Sequence, residues 1–222
     1  MNPLLSEINE IPQRVSEFLR LSPHFTLPLR VPYLGMDSSY FAPLAFKYMG
    51  VNIFPELASE YFNYIQTGGE KNKAVIISQS GLSSEALWCA ELFTEYVAIT
   101  NNSNCSLSQN PNVSEAISLF AVIEQYSSSK TYINTLLALF KGFGFNIEQA
   151  AGTLKEKISI YRQQGEKMAK EGPMNVPGIS PRPFLMPGQW FLPLKSLRLK
   201  RTSRFFITLF HSTIWQPIWP RC

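Results

Sequence analysis

The stretch AVIISQSGLSSEALWCAELF, residues 74–93, decides the fold of this chain. An apolar run leads into a serine-rich turn, and an amphipathic segment follows the turn directly. A short apolar run bounded by turn residues is typical of a strand buried on both faces. The stretch therefore predicts one strand–turn–helix unit, with an unusual number of hydroxyl groups where the strand meets the helix.

Apolar runs and helical patterns alternate on both sides of this unit. Short apolar runs predict four further strands, at RVPYLG (30–35), VNIF (51–54), YVAIT (96–100) and AISLFAVI (116–123). Strands that alternate with helices predict right-handed crossovers and a doubly wound parallel sheet, an α/β fold with helices on both faces. The predicted helices lie at 3–21 with an interruption at Pro12, within 36–50, and at 56–65, 83–93, 128–144 and 146–172.

Composition excludes several classes of protein. Of the 222 residues 45% are hydrophobic and 16% charged, which indicates a globular chain. No apolar run approaches the roughly 18 residues of a membrane helix, and the acidic N-terminus is unlike a signal peptide, so we expect a cytoplasmic protein without membrane contact. The two histidines and three cysteines have no metal-ligand spacing. We therefore expect no metal, no cofactor and no histidine-based catalytic triad.

Charge divides the chain into two parts. Residues 172–222 hold 7 of the 20 Lys and Arg residues and none of the 16 acids. We therefore predict one domain over residues 1–171 and a separate basic tail, irregular and rich in Pro and Trp, over residues 172–222.

Serine clusters follow three of the predicted strands, at 38–39, 78–84 and 127–129. The carboxyl ends of parallel strands lie at one edge of the sheet, where the next helices begin and where ligands bind. Helix N-termini attract anions, and serine hydroxyls can donate to phosphate oxygens. The alternative is N-capping, for which serine is favoured in any helix. Three clusters at one edge favour a polyhydroxylated anion such as a sugar phosphate.

Four segments around these clusters resemble one known family in sequence and order. SQSGLSSEAL (78–87) closely matches the SQSG-type turn of SIS domains, the phosphosugar-binding modules named after sugar isomerases. The segments YLGMDSSYFA, ELASEY and IEQYSSSKTYINTLLAL are similar to the family's first turn, its A-S-E segment and its E-x-x-x-A-S-T-K segment. EINEIPQRVSEFL resembles the helix before the isomerase part of glutamine–fructose-6-phosphate aminotransferases. The resemblance covers roughly residues 5–170.

The resemblance implies the binding residues. Ser80 and Ser83 would hold the phosphate at the start of the following helix, and Gln79 would orient it. Asp37 departs from the family because it replaces a usual glycine, and the interval from Glu124 to Lys130 is one residue short. Glu60 belongs to the A-S-E segment, for which we favour a structural role in pairing between subunits over a role in binding. The phosphosugar-binding positions carried over are Ser39, Ser78, Gln79, Ser80, Ser83, Ser128 and Ser129.

The activity stays open between two classes. The resemblance implies an isomerase or deaminase of amino-sugar phosphates, related to glucosamine-6-phosphate deaminases. The family's acid–base residues, however, lie in a second SIS domain, which FLMPGQWFLPLKSLRLK (184–200) echoes faintly before the likeness ends. No acid follows Glu171, so the catalytic residues are unknown. The alternative is a non-catalytic single domain that senses a sugar phosphate.

The tail has three interpretations. We favour a truncated or frame-shifted second domain; a nucleic-acid or membrane surface, and an extension that packs on a partner subunit, are the alternatives. The basic residues of the tail follow no helical stripe, so we expect no nucleic-acid partner. The expected ligand is fructose 6-phosphate or glucosamine 6-phosphate. A homodimer is also expected, since the apolar segments ALWCAELF (86–93) and INTLLALF (133–140) offer either a dimer face or core packing.

Overall fold

A five-stranded parallel sheet forms the centre of the molecule. The computed structural model describes residues 3–65, 71–125 and 128–170. Within them the strand order is β2-β1-β3-β4-β5, all parallel, which confirms the doubly wound α/β fold predicted from the sequence. The strands are β1 (Pro32–Gly35), β2 (Phe54–Leu57), β3 (Lys71–Ile77), β4 (Phe93–Thr100) and β5 (Val113–Ser118).

Helices connect the strands and cover both faces of the sheet. The first predicted helix divides at Glu10, because Pro12 is tolerated only in the first turn of a new helix. A short π-helix, Tyr61–Ile65, precedes β3. The α-helices are α1 (Pro3–Asn9), α2 (Ile11–Leu21), α3 (Ser38–Tyr48), α4 (Ala58–Glu60), α5 (Ser84–Ala90), α6 (Ser106–Gln109), α7 (Lys130–Gly142) and α8 (Ala150–Lys170).

The central strand β3 is buried on both faces, as its continuous apolar sequence predicts. Val75 and Ile77 pack into the core beneath α2, α3, α7 and α8, whereas Ala74 and Ile76 pack into the opposite core with α5. Successive residues of a strand point to opposite faces, so one uninterrupted apolar run serves both cores. Full burial of each Ile or Val side chain contributes about 1.5–3 kcal/mol.

Helix α7 runs through the larger core and is buried nearly all round. Residues 130–140 are all buried, Lys130 included. The segment INTLLALF therefore packs within the domain, so its apolar surface is used in the core rather than offered to a second copy. The other segment considered for a dimer differs, because Trp88 of α5 remains 46% exposed.

Three strands lie away from their predicted positions. Strand β4 starts at Phe93, three residues early, because the helix predicted at 83–93 ends at Ala90. The chain curves at residues 51–53, where the Ile53 N–H donates to the Val51 carbonyl at 2.9 Å, so β2 begins only at Phe54. At the other edge, β5 starts three residues early and ends at Ser118. The apolar residues that follow form a loop in which Phe120 and Val122 take positive φ angles, 52° and 54°.

Several predictions fall outside the described residues. They include the boundary after residue 171, the whole tail 172–222, and Ser127 of the third serine cluster. Within the described part of the chain, no helix is both long enough and apolar enough to span a bilayer.

Candidate functional site

The first serine turn depends on a glycine at the end of β1. A Cβ built on Gly35 would lie 2.7 Å from the carbonyl carbon of Ser39, closer than real Cβ atoms approach. Only glycine therefore lets the first turn of α3 fold back over the strand end and carry Ser38 and Ser39 to the sheet edge. Asp37, which precedes Ser38, takes φ 46° and ψ −122°, a conformation that glycine adopts far more readily.

The second serine turn is built on hydrogen bonds of its own. The Ser78 hydroxyl accepts the Gly81 N–H at 3.2 Å and lies 3.0 Å from the Ser83 hydroxyl. Ser78 is buried, so it supports the turn from below. The Ser80 hydroxyl accepts the Leu82 N–H at 3.2 Å, which leaves its own proton free to donate.

Strand β4 fixes this turn in place. The Gln79 carbonyl accepts the Asn101 N–H at 3.0 Å and the Thr100 hydroxyl at 3.2 Å. Gly81 has φ 66°, and a Cβ there would lie 2.0 Å from the Sγ of Cys105. The turn is therefore held rigidly, and a larger residue than glycine does not fit at its tip.

The third turn divides its two described serines between different roles. Ser128 lies across from the first turn, where the Ser38 hydroxyl donates to the Ser128 hydroxyl at 3.1 Å. Ser129 instead donates to the carboxylate of Glu124 through its N–H (2.9 Å) and its hydroxyl (2.8 Å). Glu124 also accepts the N–H groups of Lys130 and Thr131 at 2.6 and 2.9 Å. The start of α7 is thus already occupied by a carboxylate and is closed to a second anion.

The three turns together enclose one cleft of about 260 Å³ at the carboxyl edge of the sheet. Five of the seven residues predicted to bind a phosphosugar line it, whereas Ser78 lies beneath it and Ser129 is turned toward Glu124. Sequence reasoning left out Ser38, although its place beside Ser39 in the same turn was the available signal. Glu60 is exposed and does not line the cleft. The lining residues are Met36, Asp37, Ser38, Ser39, Ile77, Gln79, Ser80, Ser83 and Ser128.

Helix capping does not account for these hydroxyl groups. Ser83 occupies the N-cap position of α5 with a suitable extended backbone, yet its side chain makes no capping hydrogen bond. The N-cap residues of α3 and α7 make none either. The hydroxyl groups of Ser80 and Ser128 accept hydrogen bonds within the protein, and their own protons remain available for a different partner.

The charge of the cleft is unusual for an anion site. Among its described lining residues there is no Lys, Arg or His, and Asp37 is the one carboxylate. Recognition in the cleft would rely on neutral hydroxyl and amide donors. No cluster of three or more His, Cys, Asp or Glu that could hold a metal ion occurs in residues 3–65, 71–125 and 128–170.

The fold and the cleft define a class: a doubly wound α/β protein with the fold of SIS-type phosphosugar isomerase domains. The chain is similar to the C-terminal domain of glucosamine-fructose-6-phosphate aminotransferase from Francisella tularensis (TM-score 0.53, 20% identity, 76% of this chain and 56% of that one). It is also similar to glucosamine-6-phosphate deaminase from Thermotoga maritima (TM-score 0.53, 20% identity, 73% of this chain and 56% of that one). A third similar structure is tagatose-6-phosphate ketose/aldose isomerase from Escherichia coli (TM-score 0.53, 16% identity, 73% of this chain and 53% of that one).

These likenesses concern the fold. The chain spans little more than half the length of the structures it matches. No protein-family model matches the sequence, and no curated protein matches it. The resemblance to SIS domains predicted from the sequence is thus confirmed in the architecture.

Proposed function

We propose that this chain binds a phosphorylated sugar in the cleft at the carboxyl edge of its sheet. The observation that carries the proposal is that hydroxyl groups following three different strands, β1, β3 and β5, line one shared cavity. In this proposal Ser80 and Ser83 donate to the phosphate, and the Gln79 amide orients it. Ser39 and Ser128 then face the hydroxyl groups of the sugar.

The hydrogen-bond directions support donation into the cleft. Ser80 accepts from a backbone N–H and Ser128 accepts from Ser38, so the protons of both hydroxyls remain free to donate. Ser39 has no side-chain hydrogen bond among the described residues. Neutral donors held by the protein can satisfy a phosphate without the cost of immobilising long charged side chains.

Asp37 supports an amino sugar rather than a neutral one. Its carboxylate lines the same cleft and has no hydrogen-bond partner among the described residues. A ligand with both a phosphate and an ammonium group, such as glucosamine 6-phosphate, would place opposite charges near the hydroxyl donors and near Asp37. Fructose 6-phosphate offers only the anion, and we expect it to bind more weakly.

The lining of the cleft favours binding over catalysis. Aldose–ketose isomerisation moves a proton between neighbouring carbons and needs an acid–base group beside the sugar. Among the described lining residues only Asp37 could serve, with no second acid or base to complement it. We therefore favour a sensor or binding module over an isomerase or deaminase, and we expect little or no turnover of glucosamine 6-phosphate.

A thermal-shift titration tests the proposal. We expect glucosamine 6-phosphate to raise the melting temperature of the full chain, since a ligand that binds the folded state stabilises it. The double variant Ser80→Ala/Ser83→Ala should lose the shift. A matched control, Ser16→Ala/Ser159→Ala on exposed helix surfaces, should keep it. An unchanged melting temperature in the parent protein contradicts a phosphosugar site, and rapid turnover of the ligand contradicts the preference for binding over catalysis.

We also propose a homodimer formed through the face of α5. Trp88 and Leu82 are 46% and 57% exposed there, and Phe62 packs against Trp88 with ring centroids 5.5 Å apart. Exposed aromatic side chains of this kind are typical of protein interfaces. Sedimentation equilibrium checks the assembly, and a monomer at every concentration contradicts it.

We also propose that the protein is cytoplasmic, because a sugar-phosphate ligand suits that location. Cell fractionation would test the location.

A further inference from the structure

Between β5 and α7, the described residues 119–125 and 128–129 form no helix or strand, and Ser128 among them lines the cleft. Side chains from elsewhere hold these residues. The Asn101 side-chain carbonyl accepts the Ala121 N–H at 2.8 Å, and its amide donates to the Val122 carbonyl. These bonds fix the start of the loop, where the backbone takes positive φ angles. The residues after Ser128 are held by Glu124, which accepts the N–H groups of Ser129, Lys130 and Thr131. What remains is the other end of the described run 119–125, at Gln125.

Glu7 of α1 holds that other end. Its Oε1 accepts the Gln125 N–H at 2.8 Å, across 118 positions of sequence. Glu7 is only 9% exposed, and its Oε2 is buried without a hydrogen-bond partner among the described residues. A buried carboxylate with an unsatisfied oxygen is costly for folding. Such a group at a native position calls for an explanation other than stability.

Glu10, which lies between α1 and α2, makes a second link, to Lys130 at the start of α7. Glu10 accepts Lys130 Nζ at 2.9 Å, and Lys130 is only 2% exposed. Gln125 and Lys130 thus lie on either side of Ser128, and each is bound to a carboxylate from residues 7–10. The ion pair has a clear stabilising reason, since it compensates a buried ammonium group. The bond from Gln125 to Glu7 satisfies one oxygen of a buried carboxylate and leaves the other, Oε2, without a partner among the described residues.

We infer that Glu7 is a positioning residue for the sugar-phosphate cleft. It fixes Gln125 and thereby keeps Ser128 within hydrogen-bond distance of Ser38, so that the third wall of the cleft is formed before ligand binds. Preformed donors bind more tightly because they need no ordering on association. This inference rests on the proposed function, but the position of the loop can be measured without a ligand.

Two substitutions at position 7 separate positioning from packing. Glu7→Met keeps the length and removes the acceptor, whereas Glu7→Gln keeps a carbonyl that can accept the Gln125 N–H. We expect Glu7→Met to bind glucosamine 6-phosphate roughly tenfold more weakly, the loss of about one hydrogen bond. Its melting temperature should be unchanged or higher, because a buried unsatisfied oxygen is gone. Glu7→Gln should bind within about twofold of the parent.

If Glu7 has only a structural role, Glu7→Met should lower the melting temperature, and its affinity for glucosamine 6-phosphate should fall only where the melting temperature also falls. Glu17→Met is the matched control, since the described partners of the Glu17 carboxylate are Arg14 and Gln13, both on α2. This variant should leave affinity unchanged. Glu7→Ala replaces Glu7→Met if the latter does not fold. Equal affinity in the parent and in the variant that lacks the acceptor overturns the inference.

Amide hydrogen exchange of the free full-length protein gives a readout that needs no ligand. We expect faster exchange at Gln125 in Glu7→Met, with Ala121, which donates to Asn101, and the turn at 78–83 unchanged. Unchanged exchange at Gln125 overturns the positioning role. If the exchange changes as expected but the parent binds no sugar phosphate, the loop is positioned by Glu7 and the proposed function is what fails.

Discussion

A polar cavity lies at each end of the parallel strands, one at their amino ends (the amino edge) and one at their carboxyl ends (the carboxyl edge). The two cavities differ in how their polar groups are hydrogen-bonded. The cavity at the amino edge is the larger, about 310 Å³ against about 260 Å³ at the carboxyl edge. At the amino edge Lys73 donates to Glu95 at 2.7 Å, and the Ser114 hydroxyl donates to the Tyr96 carbonyl at 3.1 Å. At the carboxyl edge, several hydroxyls keep protons that no protein acceptor uses.

The two cavities also differ in the helix ends that face them. The helices α3 and α5 end at Tyr48 and Ala90, shortly before the strands that start at the amino edge, so their negative dipole ends face that side. Their N-termini face the carboxyl edge. The helix dipoles therefore favour an anion at the carboxyl edge over the amino edge, although a lysine lines only the cavity at the amino edge.

The largest expected effect comes from removing the geometry of the second turn. Gly81→Ala forces a Cβ to within 2.0 Å of Cys105 Sγ at a φ of 66°, so we expect a loss of about 3 kcal/mol in the free energy of unfolding. Gly50→Ala is the matched control, because Gly50 also has a positive φ but open space around it. It should cost only about 1 kcal/mol. Urea denaturation measures both, and equal losses would show that the contact with Cys105 does not matter.

Asp37 gives a smaller effect in the opposite direction. Asp37→Gly relieves a strained backbone and should raise the free energy of unfolding by about 1 kcal/mol. Asp37→Asn removes only the charge and should leave stability unchanged. Both variants should bind fructose 6-phosphate about fivefold more tightly, since a like charge leaves the anion site. Both should also lose preference for glucosamine 6-phosphate. Calorimetric titration with the two ligands checks this, and an unaltered preference contradicts a role for Asp37 in selecting an amino sugar.

The amino edge should give the smallest effect. A hydrogen bond from Lys73 holds the pKa of Glu95 below its ordinary value. Because the pKa is lowered in the folded state, the contribution to stability is present at neutral pH and is lost as the pH falls through that lowered pKa. Both side chains are well exposed, 39% and 46%, so the contribution is small. Glu95→Gln should leave ligand binding unchanged. Weaker ligand binding by Glu95→Gln would indicate that the ligand binds at the amino edge, which contradicts the proposed site at the carboxyl edge.

Much of the architecture follows from local sequence. The apolar run at 74–77 specifies a strand buried on both faces, and the serine turn with Gly81 fixes the start of the next helix. The sequence indicates Gly35 only as the end of a strand, whereas in the structure its missing Cβ lets the first turn of α3 bring Ser39 to the sheet edge. Local periodicity cannot show such a contact, because it joins residues that no pattern relates.

The remaining differences also come from contacts between distant residues. The run AISLFAVI reads as one strand, but Asn101 draws residues 121–122 out of the sheet into a loop. Ser129 reads as a ligand donor beside Ser128, but Glu124 takes its hydroxyl and its N–H. The short helix α6 within a polar segment has no apolar stripe that would predict it. Glu7 carried no signal in the sequence beyond its place in an amphipathic helix.

A two-dimensional NMR titration of the full chain with glucosamine 6-phosphate tests the central claim most directly, since it observes both edges of the sheet at once. The account predicts saturable shifts of the amide resonances of Ser39, residues 79–83 and Ser128, with Lys73, Glu95 and Ser114 unmoved. Shifts confined to the amino edge, or no saturable shifts at either edge, would contradict it.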